Sequence, residues 1–287
     1  MWIVWALTCF IWSTVWLAIK IGVMNVPPFT FACARLVVAF AVLVVGRAII
    51  GRLKVPASRD ATVLIGSGVL LLGVNYACVF WGSRFVPSGL VAVMQSATPL
   101  FGLVVARAFG LEDITPRKVA GLVGGIAGVA LLSARQALAP TSPRAAAGCA
   151  AVITGAVCVA VSYTWVKARV PRVDPASVLI WQMIAGTVPL AAIAYATEGN
   201  PLHVAWTEKA LVAMLYLSVV GSIAAFWLNY WLLQRIHASA VLVMSIVEAP
   251  FAAVWGALFL GERLDALSYA GAALILAGAA AVITRDS

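Results

Sequence analysis

RFVPSGLVAVMQSATPLFGLVVARAFG (residues 84–110) and RIHASAVLVMSIVEAPFAAVWGALFLG (residues 235–261) are the stretches on which the fold turns. Laid over one another without a gap, they pair Arg84 with Arg235, Ser88 with Ser239, Pro99 with Pro250 and Gly110 with Gly261, each 151 residues apart. Ala106 and Ala257 give a fifth identity. Five identities between two apolar helices carry little alone; position carries more. Each proline is the thirteenth residue of its apolar segment, and each segment ends in a Gly-acidic turn, Gly110-Leu111-Glu112 and Gly261-Glu262. A small-residue segment follows each turn, with Ala120-Gly121 in one and Ala270-Gly271 in the other. Ser13-Thr14-Val15-Trp16 against Ser162-Tyr163-Thr164-Trp165 extends the echo to the start of each half.

Working outward, 64% of the chain is hydrophobic and 10% charged, which points to a membrane protein. A span needs about 20 apolar residues. Ten segments qualify: 2–22, 29–50, 61–81, 87–109, 117–135, 145–167, 175–197, 208–233, 238–260 and 266–284. The expected organisation is a first five-helix repeat over 1–135, a linker over 136–144 and a second repeat over 145–287. Five crossings are odd, so the second copy runs inverted with respect to the first, as in alternating-access carriers. The segment 2–22 lacks a basic n-region and a small-residue cleavage pattern, and reads as a retained span rather than a signal peptide.

The net charge of +9 would suggest nucleic acid in a soluble chain; here its distribution sets topology. Of the 19 Lys and Arg residues, twelve fall on the side that carries both termini, six on the other, and Arg35 lies inside a span. The positive-inside rule then puts both termini in the cytoplasm. Cys9, Cys33, Cys78, Cys149 and Cys158 form no CxxC pair and read as small apolar filler, so neither metal nor cofactor is expected.

Ten spans in two halves, the prolines of spans four and nine, and the run from Glu248-Ala249-Pro250 to Leu260-Gly261-Glu262-Arg263 resemble the EamA family of the drug/metabolite transporter superfamily, over the whole chain. The resemblance implies an inner-membrane carrier of ten helices around a central cavity. Spans 1, 3, 4, 6, 8 and 9 would line it, spans 5 and 10 would sit outside, and spans 2 and 7 would act as lateral gates. It implies export of amino acids, aromatic ones included, or of other metabolites. A proton antiporter of toxic cations from the same superfamily is the alternative, and a channel-like facilitator a further one.

Certain residues are set apart by their placement. A proline inside a helix removes a hydrogen bond and kinks it, so Pro99 and Pro250 read as a paired hinge or as static kinks. Glu248 is the acidic residue in the middle of a span; such a carboxylate is paired, protonated or facing water, and could couple protons or contact a cation. Arg35 is the mid-span cation, open to gating or structure, to a substrate carboxylate, or to an ion pair with Glu248. Its repeat partner is Gln182, and that of Glu248 is Ala97.

Trp12, Trp16, Asn75, Tyr76, Gln95, Tyr163, Trp165, Trp227, Tyr230 and Glu248 are the candidate substrate-binding residues, because aromatics mixed with amides and hydroxyls suit a partly apolar solute with a polar end. Aromatics at span ends read instead as an interface belt. Gly121, Gly124, Gly125 and Gly128 permit close helix approach, within the bundle or in a homodimer, with a monomer expected. The expected partners are a small-molecule substrate, the lipid bilayer and protons, and no nucleic acid. Enzyme chemistry finds no support. His203 and His237 lie in loops, no span holds an Asp, and HExxH and Walker A motifs are missing. A channel would show a ring of filter residues or subunit symmetry; here the symmetry lies within one chain.

Overall fold

Proline starts four of the described α-helices, at Pro28, Pro116, Pro143 and Pro175, where its missing N–H costs nothing. The computed structural model describes residues 1–50, 58–82, 85, 91, 94–132, 143–260 and 266–283. Arg84, Ser88, Gly261, Glu262, Arg263 and linker residues 136–142 lie outside that set, as does the side chain of Trp16.

The described residues are helical, with short turns between. Six helices are each long and apolar enough to cross a membrane: Trp2–Asn25, Pro28–Ile49, Asp60–Gly82, Ala146–Arg169, Pro175–Glu198 and Glu208–Leu233. They are spans one, two, three, six, seven and eight. The other four expected spans are described over shorter or interrupted stretches. Span four is described over Thr98–Ala108 and span five over Pro116–Leu132. Span nine is split into Ala238–Leu242 and Met244–Leu260, and span ten runs over Ala266–Ile283. Val37, Val45, Val188, Val212 and Leu258 are among the large apolar side chains left exposed, as lipid contact requires.

Spans five and ten pack on each other along their length. A Cβ on Gly278 would stand 2.5 Å from the Gly121 carbonyl oxygen, and one on Gly128 would stand 2.7 Å from that of Gly271. The small-residue stripe is therefore used inside the chain, backbone against backbone. Spans two and seven also lie side by side, each against the span-three or span-eight helix of the opposite half.

Spans three and eight are not regular. Val69–Val74 and Leu217–Ala224 are π-helical stretches, in which Asn75 N–H donates to Leu70 O and Ala225 N–H to Val220 O, five residues back. Such a turn leaves one carbonyl over. In span three the Asn75 amide takes it, donating to Leu71 O at 3.2 Å. π turns inside helices are frequent at functional sites.

Candidate functional site

Arg35 sits where span two crosses the π stretch of span eight, and it is 1% exposed. Its Nη2 and Nε donate to Ser222 Oγ at 3.0 and 3.3 Å. Its guanidinium lies 5.2 Å from the Tyr76 ring centroid on span three. One turn earlier in span eight, Ser218 Oγ donates to the backbone oxygen of Arg35 at 3.0 Å and to Met214 O at 2.7 Å. Gly221 leaves the space: a Cβ there would be 3.8 Å from Arg35 Nη2 and 3.0 Å from Val15.

Span seven meets span three in the mirrored way. Gln182, wholly buried, donates from Nε2 to Ser67 Oγ at 2.8 Å, just before the other π stretch. Tyr230 Oη donates to Gln182 Oε1 at 2.6 Å, and Ser162 Oγ to Ser67 O at 2.9 Å. The Tyr163 and Tyr230 rings meet edge to face at 5.5 Å. Gly68 and Gly186 bring these helices into backbone contact, since a Cβ on Gly68 would lie 2.5 Å from Gln182 Cα. The interior thus carries a belt of hydroxyls, amides and rings with one buried cation, contributed by spans two, three, six, seven and eight.

The sequence candidates distribute unevenly over this belt. Asn75, Tyr76, Tyr163 and Tyr230 are buried in it. Asn75 Oδ1 is buried beside Gly155 and accepts no hydrogen bond among the described residues. Glu248 is 8% exposed, and the described contacts of Arg35 are Ser222 and Tyr76. Trp12 packs edge to face on Phe226 at 4.9 Å, and Trp165 lies over Gly66 near one end of the bundle. Gln95 is half-buried. Trp227 is 40% exposed, because Phe226, Asn229 and Tyr230 take the inner face and a neighbour one residue from Phe226 is turned about 100° away.

The two prolines also differ locally. Pro99 stands second in a helix that restarts at Thr98 after a turn at Ser96-Ala97; the Gln95 carbonyl that Pro99 cannot bond receives the Thr98 hydroxyl at 2.6 Å. Pro250 lies inside Met244–Leu260, and the break in its span comes earlier, at Val243.

Cross-ties close the end of the bundle where the chain begins, here the near end. Trp5 Nε1 donates to Ala240 O at 2.8 Å and Arg47 pairs with Asp174 at 2.9 Å. Lys167 Nζ donates to Leu233 O at 2.8 Å and to Ile236 O. Gly110, at φ 69°, ends span four with Leu111 N–H on Ala106 O and hands the chain to Glu112. The Glu112 carboxylate accepts Ser239 N–H at 3.1 Å, Ser239 Oγ at 2.6 Å and Lys118 Nζ at 3.2 Å, which latches the turn after span four to the start of span nine. At the far end Glu198 accepts the N–H groups of Phe29 and Thr30 at 2.9 and 2.7 Å, capping span two.

Burial would raise the Glu112 carboxyl, but the two bonds from Ser239 and the Lys118 ammonium outweigh it and hold it below the usual carboxylate range. A depressed folded value adds stability above the ordinary carboxylate pKa, and that stability is lost as pH falls through the lowered one. The thermal midpoint of the purified protein should therefore drop on acidification below about pH 4. Glu112→Gln should be less stable at neutral pH and show a flatter acid limb; an acid limb as steep as that of the parent would reject the latch.

Ser67, Ser218 and Ser222 were missed as partners by the sequence reading. Ser218 and Ser222 stand four apart in an apolar helix, a spacing that marks one polar face. Among the described residues no group of three His, Cys, Asp or Glu side chains is placed to hold a metal ion.

Similarity to known proteins fits this architecture. An uncharacterised transporter, YoaV, of Bacillus subtilis is 26% identical over 273 residues, covering 93% of this chain and 91% of the relative. A probable amino-acid metabolite efflux pump of Salmonella typhimurium is 25% identical over 278 residues, covering 93% and 89%. A solved crystal structure superposes with a TM-score of 0.80 at 20% identity, covering 97% of this chain and 94% of that one, which shows a common fold. The EamA-like transporter family matches residues 1–134 and again 146–284, so this multi-pass membrane protein belongs to that family.

Proposed function

We propose that the protein exports small organic metabolites, amino acids above all and aromatic or other apolar ones preferred, by alternating access of two inverted halves. The observation that carries this reading is the membrane-buried Arg35, held by a serine and a tyrosine. A guanidinium presents five N–H donors, and the neutral partners it has among the described residues leave its charge uncompensated in a low-dielectric interior. A substrate carboxylate supplies the missing charge, and a net-cationic drug is repelled. Asn75 Oδ1, a buried acceptor with no donor among the described residues, suits an ammonium group, and Tyr76, Tyr163 and Tyr230 suit an apolar side chain.

The near end, with its excess of Lys and Arg, faces the cytoplasm of an inner membrane in this reading. The use of the span-five glycines against span ten supports a monomer. Glu248 is the candidate coupling carboxylate, 8% exposed within the interior.

Uptake by proteoliposomes across an amino-acid panel, with and without a pH gradient, tests both parts. Trans-stimulation by internal amino acid is expected of a carrier. A gradient effect that disappears in Glu248→Gln assigns the coupling, and a gradient effect that persists removes it from Glu248. Transport of organic cations with no response to amino acids would overturn the substrate class.

A further inference from the structure

A cleft of about 520 Å³ opens at the near end between spans three and six, lined by Asp60, Val63, Trp165, Arg169 and Val170. Pockets of roughly 300–1,000 Å³ hold small ligands. Asp60 and Val63 stand one turn apart on span three, and Trp165 and Arg169 one turn apart on span six, so each pair shares a helix face. The mouth therefore carries one carboxylate and one guanidinium from opposite walls, and the floor is an indole and a valine. Arg169 is exposed, and its guanidinium lies 5.9 Å from the Phe109 ring centroid, which holds the side chain at the rim. Trp165 is fixed from below: a Cβ on Gly66 would stand 2.7 Å from its ring.

The same two helices carry the interior belt. Gly66 is followed by Ser67, and Trp165 lies three residues after Ser162, whose hydroxyl bonds Ser67 O. The Trp165–Gly66 contact is the partition between cleft and belt.

We propose that this cleft is a second solute site, a vestibule for a zwitterion, with the ammonium on Asp60, the anionic group on Arg169 and the apolar portion on Trp165 and Val63. The assignment rests on the proposed amino-acid transport, and the committed occupant is a free amino acid. A zwitterionic lipid headgroup has the same pair of charges and is the competing source.

Equilibrium dialysis of purified protein with labelled L-phenylalanine, in detergent, tests it by stoichiometry. Two equivalents per chain are expected for the parent protein. Arg169→Gln should weaken the cleft site about tenfold or more, as loss of a charge-assisted hydrogen bond does, leaving one equivalent. Arg35→Gln should also leave one, through loss of the interior site. Asp60→Asn gives a second variant of the cleft in case Arg169→Gln folds poorly. One equivalent in the parent, kept in Arg169→Gln and Asp60→Asn and lost in Arg35→Gln, overturns the vestibule and leaves the transport reading intact. No binding in the parent overturns both. Repeating the dialysis in nanodiscs of phosphatidylethanolamine and of phosphatidylglycerol separates the sources. Two equivalents in both lipids support the amino acid, and loss of one in phosphatidylethanolamine alone assigns the cleft to the headgroup.

Discussion

Arg35→Leu should abolish measurable transport, and Arg35→Lys should reduce it at least tenfold while the protein still folds. The leucine variant removes the interior cation and leaves Ser222 without its donor and the Tyr76 ring without its cation. The lysine variant keeps a charge but loses the planar fork that spans Ser222 and the Tyr76 ring at once. Losing a hydrogen bond to a charged group costs about 1.5–3 kcal/mol, which is tenfold to over a hundredfold in rate or affinity. Initial rates in proteoliposomes, normalised to folded protein by size-exclusion profile, give the readout. Transport by Arg35→Leu near the parental rate would remove Arg35 from the mechanism.

The second large effect is steric. Gly68→Val should lower the thermal midpoint by several degrees and abolish transport together. A Cβ at Gly68 meets the Gln182 backbone at 2.5 to 3.0 Å, and backbone cannot rotate out of the way. Span seven must retreat, and the Gln182–Ser67 bond of 2.8 Å goes with it. Overpacking of this kind costs about 1–3 kcal/mol. Gly46→Ala is the matched control, because a Cβ there meets nothing within 4 Å and the midpoint should hold. Equal midpoints for Gly68→Val and the parent would mean that the two spans are free to separate.

Class and family could be read from the chain because a bilayer imposes length and composition on each crossing, and proline and glycine mark the same places in both halves. The partners of Arg35 could not. An ungapped offset of 151 residues sets Asn75-Tyr76 against Phe226-Trp227, whereas the Asn-Tyr pair recurs as Asn229-Tyr230, 154 residues on. The three residues are taken up between the π stretch and the following span, where α-helical periodicity no longer predicts facing. Ser222, inside the π stretch of span eight, was overlooked for that reason. Trp165 was picked out for its type and proved to lie at the mouth of the bundle. Glu112 was noticed only as the acidic end of a turn; its grip on Ser239 depends on the long-range approach of spans four and nine, which spacing does not encode.

The π stretches of spans three and eight also bear on how such a bundle can move. Each holds one residue of slack in an otherwise taut rod. If a π turn tightened to α, that slack would be passed along, and the helix beyond it would rotate by about 100° about its own axis while its ends stayed at their depth. Tyr76 and Tyr230 lie just beyond the two stretches, so such a rotation would swing them away from Arg35 and Gln182. Two screws of opposite sense could then exchange the polar partners of the interior without tilting any helix through the lipid.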